Sequence, residues 1–163
     1  MLKRYLTIII TFVVLVGMYL IFFHDRNSVD KEYAKYYEML INREEFLEEA
    51  GVIDILIPAP KKVGDKYQYS ISFVDAKQRL ENVKIMILDS SVKKEDKIKM
   101  TPNSFGIINN KGYTFDVKEA AELDPSDNVL AGGAFNLYDK DKVDYFIIYL
   151  AFNNQELFIK ILV

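Results

Sequence analysis

Hydrophobic and polar positions along the chain follow three successive patterns. From Tyr5 to Phe23 there is no charged residue, and the side chains are almost all apolar. As a helix these 19 residues extend about 28 Å at about 1.5 Å per residue, close to the roughly 30 Å hydrocarbon core of a bilayer. Tyr5 and Tyr19 stand near where aromatic side chains settle at membrane interfaces. The basic start Met1-Leu-Lys-Arg4 precedes the run, but no Ala-x-Ala site closes it and no cysteine offers lipid attachment. The pattern predicts a cytoplasmic tail at 1–4 and an uncleaved transmembrane signal anchor at 5–23. Lys3 and Arg4 on one flank nearly balance Arg26, Lys31 and Lys35 on the other. A long C-terminal domain translocates largely regardless of such charges, so the domain is expected outside the cytoplasm.

Residues 24–51 read as a polar helical stalk. Ser28 suits an N-cap, and Asp30 and Glu32 suit the positive end of a helix dipole. Tyr33, Tyr37, Leu40 and Leu47 recur at i, i+4, i+7 and i+14, a narrow apolar stripe that predicts one edge packed on a neighbour or on a partner helix. Asn42-Arg-Glu-Glu45 offers a second helix start, and Gly51 a left-handed stop.

From Val52 the period falls to two. Tyr67, Tyr69, Ile71 and Phe73 alternate with Gln68, Ser70 and Ser72; Val83, Ile85 and Ile87 with Lys84 and Met86; Tyr113, Phe115 and Val117 with Thr114 and Asp116. Val143, Tyr145, Ile147 and Tyr149 share one face of a long run, and Phe158, Lys160 and Leu162 one face of the last. Turn residues separate the runs at Pro58-Ala-Pro60 with Gly64, Asn109 to Gly112, Asp124 to Asn128, Asp139 to Lys142, and Asn153-Asn154. Seven to nine strands follow. Connections this short exclude helical crossovers and predict an antiparallel β-sandwich over 52–163. Gly132-Gly133 inside a strand pattern marks a bulge or a close backbone approach. Asp116-x-x-Glu119 ahead of Ala120-Ala121 allows one helical turn. Tyr69, Ile71, Ile85, Phe135, Ile147 and Phe158 are the expected core.

Composition narrows the functions open to such a domain. The 163 residues carry a net charge of −3, and Lys3 and Arg4 precede the apolar run, so the remainder is more negative still. That excludes a basic nucleic-acid-binding surface. The absence of cysteine removes disulfides, thiolate nucleophiles and Cys-ligated metals, and the single histidine, His24, removes multi-His metal sites. No Asn-x-Ser/Thr sequon occurs, which favours a bacterial surface over a eukaryotic lumen.

Three blocks in order carry a resemblance: Val83-Lys-Ile-Met-Ile-Leu-Asp-Ser-Ser91 followed by Ile98-Lys-Met-Thr-Pro102, Ser104-Phe-Gly-Ile-Ile-Asn-Asn-Lys-Gly-Tyr113, and Leu123-Asp-Pro-Ser-Asp-Asn-Val-Leu-Ala-Gly-Gly-Ala-Phe-Asn-Leu137. Over about residues 66–163 the chain resembles a family of immunoglobulin-like domains in secreted proteins and lipoproteins of Gram-positive bacteria, related in fold to a mycobacterial secreted immunogenic antigen. The resemblance implies an immunoglobulin-like sandwich. It departs at Asp89, where Asn is usual, at Pro125-Ser126 in place of Pro-Gly, and in having an apolar run instead of a lipidated Cys. It brings no activity and no site residue.

Catalytic patterns are thin. Ser90 and Ser91 each precede a Lys by three residues, and Ser126-Asp127-Asn128 matches a second penicillin-binding motif. That chemistry needs the Ser at a helix start, whereas here a strand runs into a charged turn, and no Lys-Thr-Gly follows. Asp139, Asp141 and Asp144, with Asp124 and Asp127, gather oxygens, but the Gly and terminal Glu of an EF-hand loop are missing. They read as solvated acidic turns, and no cofactor or metal is expected. The 11 Tyr and 11 Phe, without Trp, belong mostly to the core. Tyr145, Phe146 and Tyr149 lie on one strand whose two faces are both apolar. That strand is either covered on both faces or meets a partner, which makes these three the candidate binding surface.

The sequence therefore predicts a non-enzymatic, membrane-anchored extracytoplasmic binding or scaffold domain with a protein or cell-envelope partner. The alternative is a small structural subunit of a membrane-embedded assembly of the secretion or conjugation type. Protease added to intact cells or protoplasts is expected to digest residues 52–163 and leave the N-terminus protected. Digestion only after lysis would reverse the orientation.

Overall fold

The computed structural model describes residues 31–92, 104–107 as backbone, 112–122 and 128–163. The anchor expected at 5–23 lies outside the described residues, as do Ser28, Lys93, Lys94 and Asp124 to Asp127. Among the described residues, no helix is long and apolar enough to cross a membrane. The elements are helix α1 (described over 31–41), then β1 (Asp54–Leu56), β2 (Lys61–Val63), β3 (Lys66–Val74), β4 (Leu80–Asp89), β5 (Ser104–Ile107), β6 (Tyr113–Phe115), α2 (Val117–Ala120), β7 (Val129–Leu130), β8 (Gly133–Asp139), β9 (Tyr145–Phe152) and β10 (Gln155–Leu162).

The protein is mainly β, built from two sheets. In the four-stranded sheet β3 is central, with β8 on one side and β1 and β2 end to end on the other. Pro58 and Pro60 lie between β1 and β2, where a ladder N–H would be missing. In the six-stranded sheet the order is β10-β9-β4-β6-β7, and β5 also pairs with β4. Every pairing is antiparallel except the two-residue β6–β7 ladder and an isolated Leu47–Ile159 bridge. The six-stranded sheet is therefore mixed, whereas the four-stranded sheet is antiparallel throughout.

The alternating positions form the inter-sheet core. Tyr69, Ile71 and Phe73 of β3 and Phe135 and Leu137 of β8 face Ile85 and Ile87 of β4 and Phe146, Ile148 and Leu150 of β9. Gln68, Ser70 and Asn136 hydrogen-bond on the opposite, exposed face of the four-stranded sheet. Asn153 and Asn154 both take positive φ in the two-residue β9–β10 turn, the hairpin geometry that Asn tolerates. Gly132 marks a close approach: a Cβ there would lie 2.1 Å from the Phe73 carbonyl oxygen. Asp116 caps α2, accepting from the N–H groups of Lys118 and Glu119.

The second face of the six-stranded sheet is apolar too. Met86 and Leu88 of β4, Tyr149 of β9 and Phe158 of β10 are buried beneath Tyr36, Tyr37 and Leu40 of α1. Two expected core residues, Phe158 and Ile147, belong to this outer cluster and not to the inter-sheet core. The helix also ends earlier than expected, at 41 instead of Gly51. Asn42 closes it, its side chain donating to the Glu38 carbonyl at 3.0 Å. Continuing would place Glu44, Glu45, Glu48 and Glu49 at the negative end of the dipole. Instead Leu47 pairs with the edge of β10, its N–H donating to the Phe158 carbonyl at 2.8 Å and its carbonyl accepting from Lys160 at 2.9 Å. The boundary expected at Val52 thus divides one apolar cluster, since 31–41 covers a sheet face built from residues after 80.

Phe135→Ala and Leu40→Ala are each expected to cost about 2–5 kcal/mol, one in each core. Chemical denaturation of the purified chain measures both. A chain starting at Val52 is expected to aggregate, with its Met86, Leu88 and Tyr149 face uncovered. Solubility of that fragment equal to one starting at Ser28 would remove α1 from the folded unit.

Candidate functional site

Tyr145, Phe146 and Tyr149 are separated by the pleat and by α1. Phe146 points into the inter-sheet core, edge-on to Tyr69 at a centroid distance of 5.4 Å. Tyr149 points the other way and stacks under Tyr36 at 4.5 Å and 25°. Burial raises the Tyr149 hydroxyl pKa strongly, and a 2.9 Å hydrogen bond to the Glu156 carboxylate raises it further. Only Tyr145 keeps partial exposure, with the Lys160 ammonium 4.0 Å from its ring centre. The three do not form one surface, because successive strand residues face opposite layers and both layers are covered.

Two open clefts flank α1. One, of about 680 Å³, lies beside its N-terminal part and is lined by Tyr36, Lys84, Tyr149, Asn154, Gln155 and Glu156, among others. Tyr36 and Lys84 bind through Glu32, and Tyr149 binds Glu156. The Lys84 ammonium pairs with Glu32 and lies 3.3 Å from the Tyr36 hydroxyl, which donates to Glu32 at 2.9 Å. The Lys84 hydrogen bond holds the Glu32 carboxyl below its usual range, against the opposing effect of burial. Burial disfavours the charge on Lys84, but the bonds to Glu32 and Tyr36 more than offset it and raise its pKa. The second cleft, of about 790 Å³, lies beyond the C-terminal end of α1, where Tyr145 and Ile147 meet Leu40, Phe46, Leu47 and Leu162.

The turns with candidate chemistry converge at the end of the sandwich remote from the first cleft. Ser91 donates its N–H and hydroxyl to Asp89 Oδ1 at 2.9 and 2.6 Å. Ser90 Oγ accepts from the Asp144 N–H at 2.9 Å. Asp139 Oδ1 accepts from the Asp141 N–H at 3.1 Å, and the Val143 N–H donates to the Tyr69 hydroxyl at 2.8 Å. Both serines thus serve turns. Among the described residues, no three Asp, Glu or His side chains converge as metal ligands. At the opposite end Arg79 is held by Glu81, Asp116 and Glu119, which ties α2 to the start of β4. The Glu119 and Glu81 bonds raise its pKa.

No family model matches the chain, and no curated protein matches it.

The Glu32–Lys84 latch had no local signal, since its partners are 52 positions apart. Glu32→Gln is expected to lower stability by about 1 kcal/mol or less near neutral pH, as for a partly solvated ion pair. Glu32 has a depressed folded pKa, so its contribution is present above the unfolded value and disappears as pH falls through the folded one. Urea unfolding of both proteins across the acid range should show the difference closing. A constant difference at every pH would separate the effect from the carboxylate charge.

Proposed function

We propose that the protein is a membrane-tethered, extracytoplasmic binding or scaffold domain without enzymatic activity, acting on a protein or cell-envelope partner. The observation that carries this reading is how the chain leaves the charge-free run. At most residues 24–30 separate Phe23 from the described part of a helix that is folded onto the domain and latched by Glu32 to Lys84. Seven residues reach at most about 25 Å when extended. A domain joined in this way stays close to its anchor in a restricted orientation, which suits presentation of a surface better than diffusion to a substrate. The immunoglobulin-like resemblance belongs to the same proposal, as does a Gram-positive cell envelope as the setting. The inventory of reactive groups supports a non-catalytic role: no cysteine, one histidine, and Ser90, Ser91, Asp89 and Asp139 engaged in turn hydrogen bonds.

Photo-crosslinking amino acids at Tyr145, Leu162, Tyr138 and Leu56, all at least partly exposed, sample different faces in living cells. Adducts concentrated at one face, and abolished when residues 1–23 are replaced by a cleavable secretion signal, are the expected result. A stoichiometric complex surviving mild detergent would favour the structural-subunit alternative. A monomer without adducts at any position would sink both.

A further inference from the structure

We infer that the second cleft, beyond the C-terminal end of α1, holds a long-chain fatty acid, with its carboxylate at Arg43 and Lys160 and its chain along the uncovered floor of the sheet. Helix α1 stops at 41, before the end of the sheet face it covers. Tyr149 and Phe158 pair in register beneath the helix. The next two pairs on the same face, Ile147 with Lys160 and Tyr145 with Leu162, form the floor of the cleft. Leu40 and Ile41 at the helix end, with Phe46 and Leu47 of the following segment, form its wall around about 790 Å³. Leu162 is 77% exposed and Leu47 49%, so this apolar surface has no cover among the described residues. Contiguous exposed apolar surface of this kind marks a binding site more often than scattered apolar residues do.

Charge selects the occupant. The Arg43 Nε donates to the Glu45 carbonyl at 3.2 Å, and its guanidinium centre lies 4.2 Å from the Phe158 ring centre, so the group is held in place. The Lys160 ammonium lies 4.0 Å from the Tyr145 ring centre. A ring face attracts a cation but carries no net charge, so both positive charges remain uncompensated. None of the ion pairs among the described residues includes either one. A carboxylate matches the planar fork of an arginine through two parallel bonds, and the neighbouring ammonium adds a second positive charge. Glu44 and Glu48 stand in the same lining, both exposed. An acidic peptide long enough to fill the cleft would bring several carboxylates against them, whereas a fatty acid brings one. Its alkyl chain then takes the apolar floor, where each methylene is favoured over water. The inference rests on the membrane-tethered reading for the supply of this ligand, since the short link 24–30 keeps the domain close to the proposed anchor.

The test uses the full-length chain in phosphatidylcholine nanodiscs, irradiated with palmitate that carries a diazirine in its chain, with adducts mapped by mass spectrometry. Two sets are expected, one on residues 5–23 and one at Tyr145, Ile147 and Leu162. Excess unlabelled palmitate should remove the cleft set, and uncharged hexadecanol should leave it. In the double variant Arg43→Gln, Lys160→Gln the cleft set should fall about tenfold or more while the set on 5–23 is unchanged. Lys160→Arg, which keeps the charge, should retain both sets. Equal loss with hexadecanol, or a cleft set that persists in the double variant, overturns the carboxylate site. Labelling of 5–23 without the cleft overturns it and leaves the tethered reading standing. Labelling of the cleft without 5–23 supports the site and overturns the tether, and absence of both sets overturns both. Displacement of the cleft set by an acidic amphipathic peptide at lower concentration than palmitate gives the cleft to a protein partner and overturns the fatty-acid assignment.

Discussion

The antiparallel pair of β4 and β9 has apolar side chains on both faces, and the rest of the fold is arranged to cover it. Ile85, Ile87, Phe146, Ile148 and Leu150 require one cover; Met86, Leu88 and Tyr149 require another. A sheet with one solvated face can stand in a two-layer sandwich, as the four-stranded sheet does with Gln68, Ser70 and Asn136 outward. A sheet with two apolar faces cannot, because apolar area left in water forgoes about 25 cal/mol per Å². The four-stranded sheet supplies the inner cover and α1 the outer one, giving three layers.

This requirement gives the segment after the charge-free run a structural task. Most helical stability in proteins comes from packing an apolar face and not from intrinsic propensity. Helix α1 buries Tyr36, Tyr37 and Leu40 against the sheet, while Glu32 and Lys84 fix its position along the strands. The anchor proposed at 5–23 would therefore be coupled to the sheet by packing as well as by the covalent chain.

Beyond the exposed sheet face and the Glu32–Lys84 pair, hydrogen-bonded polar groups gather at the two ends of the sandwich and serve its seams. Arg79, among three carboxylates, joins α2 to the start of β4; Asn153 and Asn154 turn the β9–β10 hairpin. Asp89, Ser90 and Ser91 meet the Asp139 to Asp144 turn at the other end. Residues that in the sequence suggest a nucleophile or an oxygen-ligand loop are here partners across the seam between sheets.

Local chemistry determined much of this in the sequence itself. Alternation in Tyr67–Phe73 and Val83–Ile87 identified strands and their inward faces, because side-chain direction in a strand reverses at each residue. Asn153-Asn154, Asp116 and Gly132 announced a hairpin, a cap and a close approach, since each depends on the backbone needs of its own few residues. Which layer covered each face was decided only by the tertiary structure. Tyr145, Phe146 and Tyr149 read as apolar on both sides of a strand, a pattern shared by a doubly covered strand and an exposed binding face. The stripe Tyr33, Tyr37 and Leu40 did not name the sheet it would meet. Helix α1 stopped at 41 because an unpaired edge of β10 was available to Leu47, and that edge exists only once the chain has folded. Glu32 and Lys84 lie far apart in sequence, and their ionisation depends on distance and burial, which periodicity along one strand or helix does not encode.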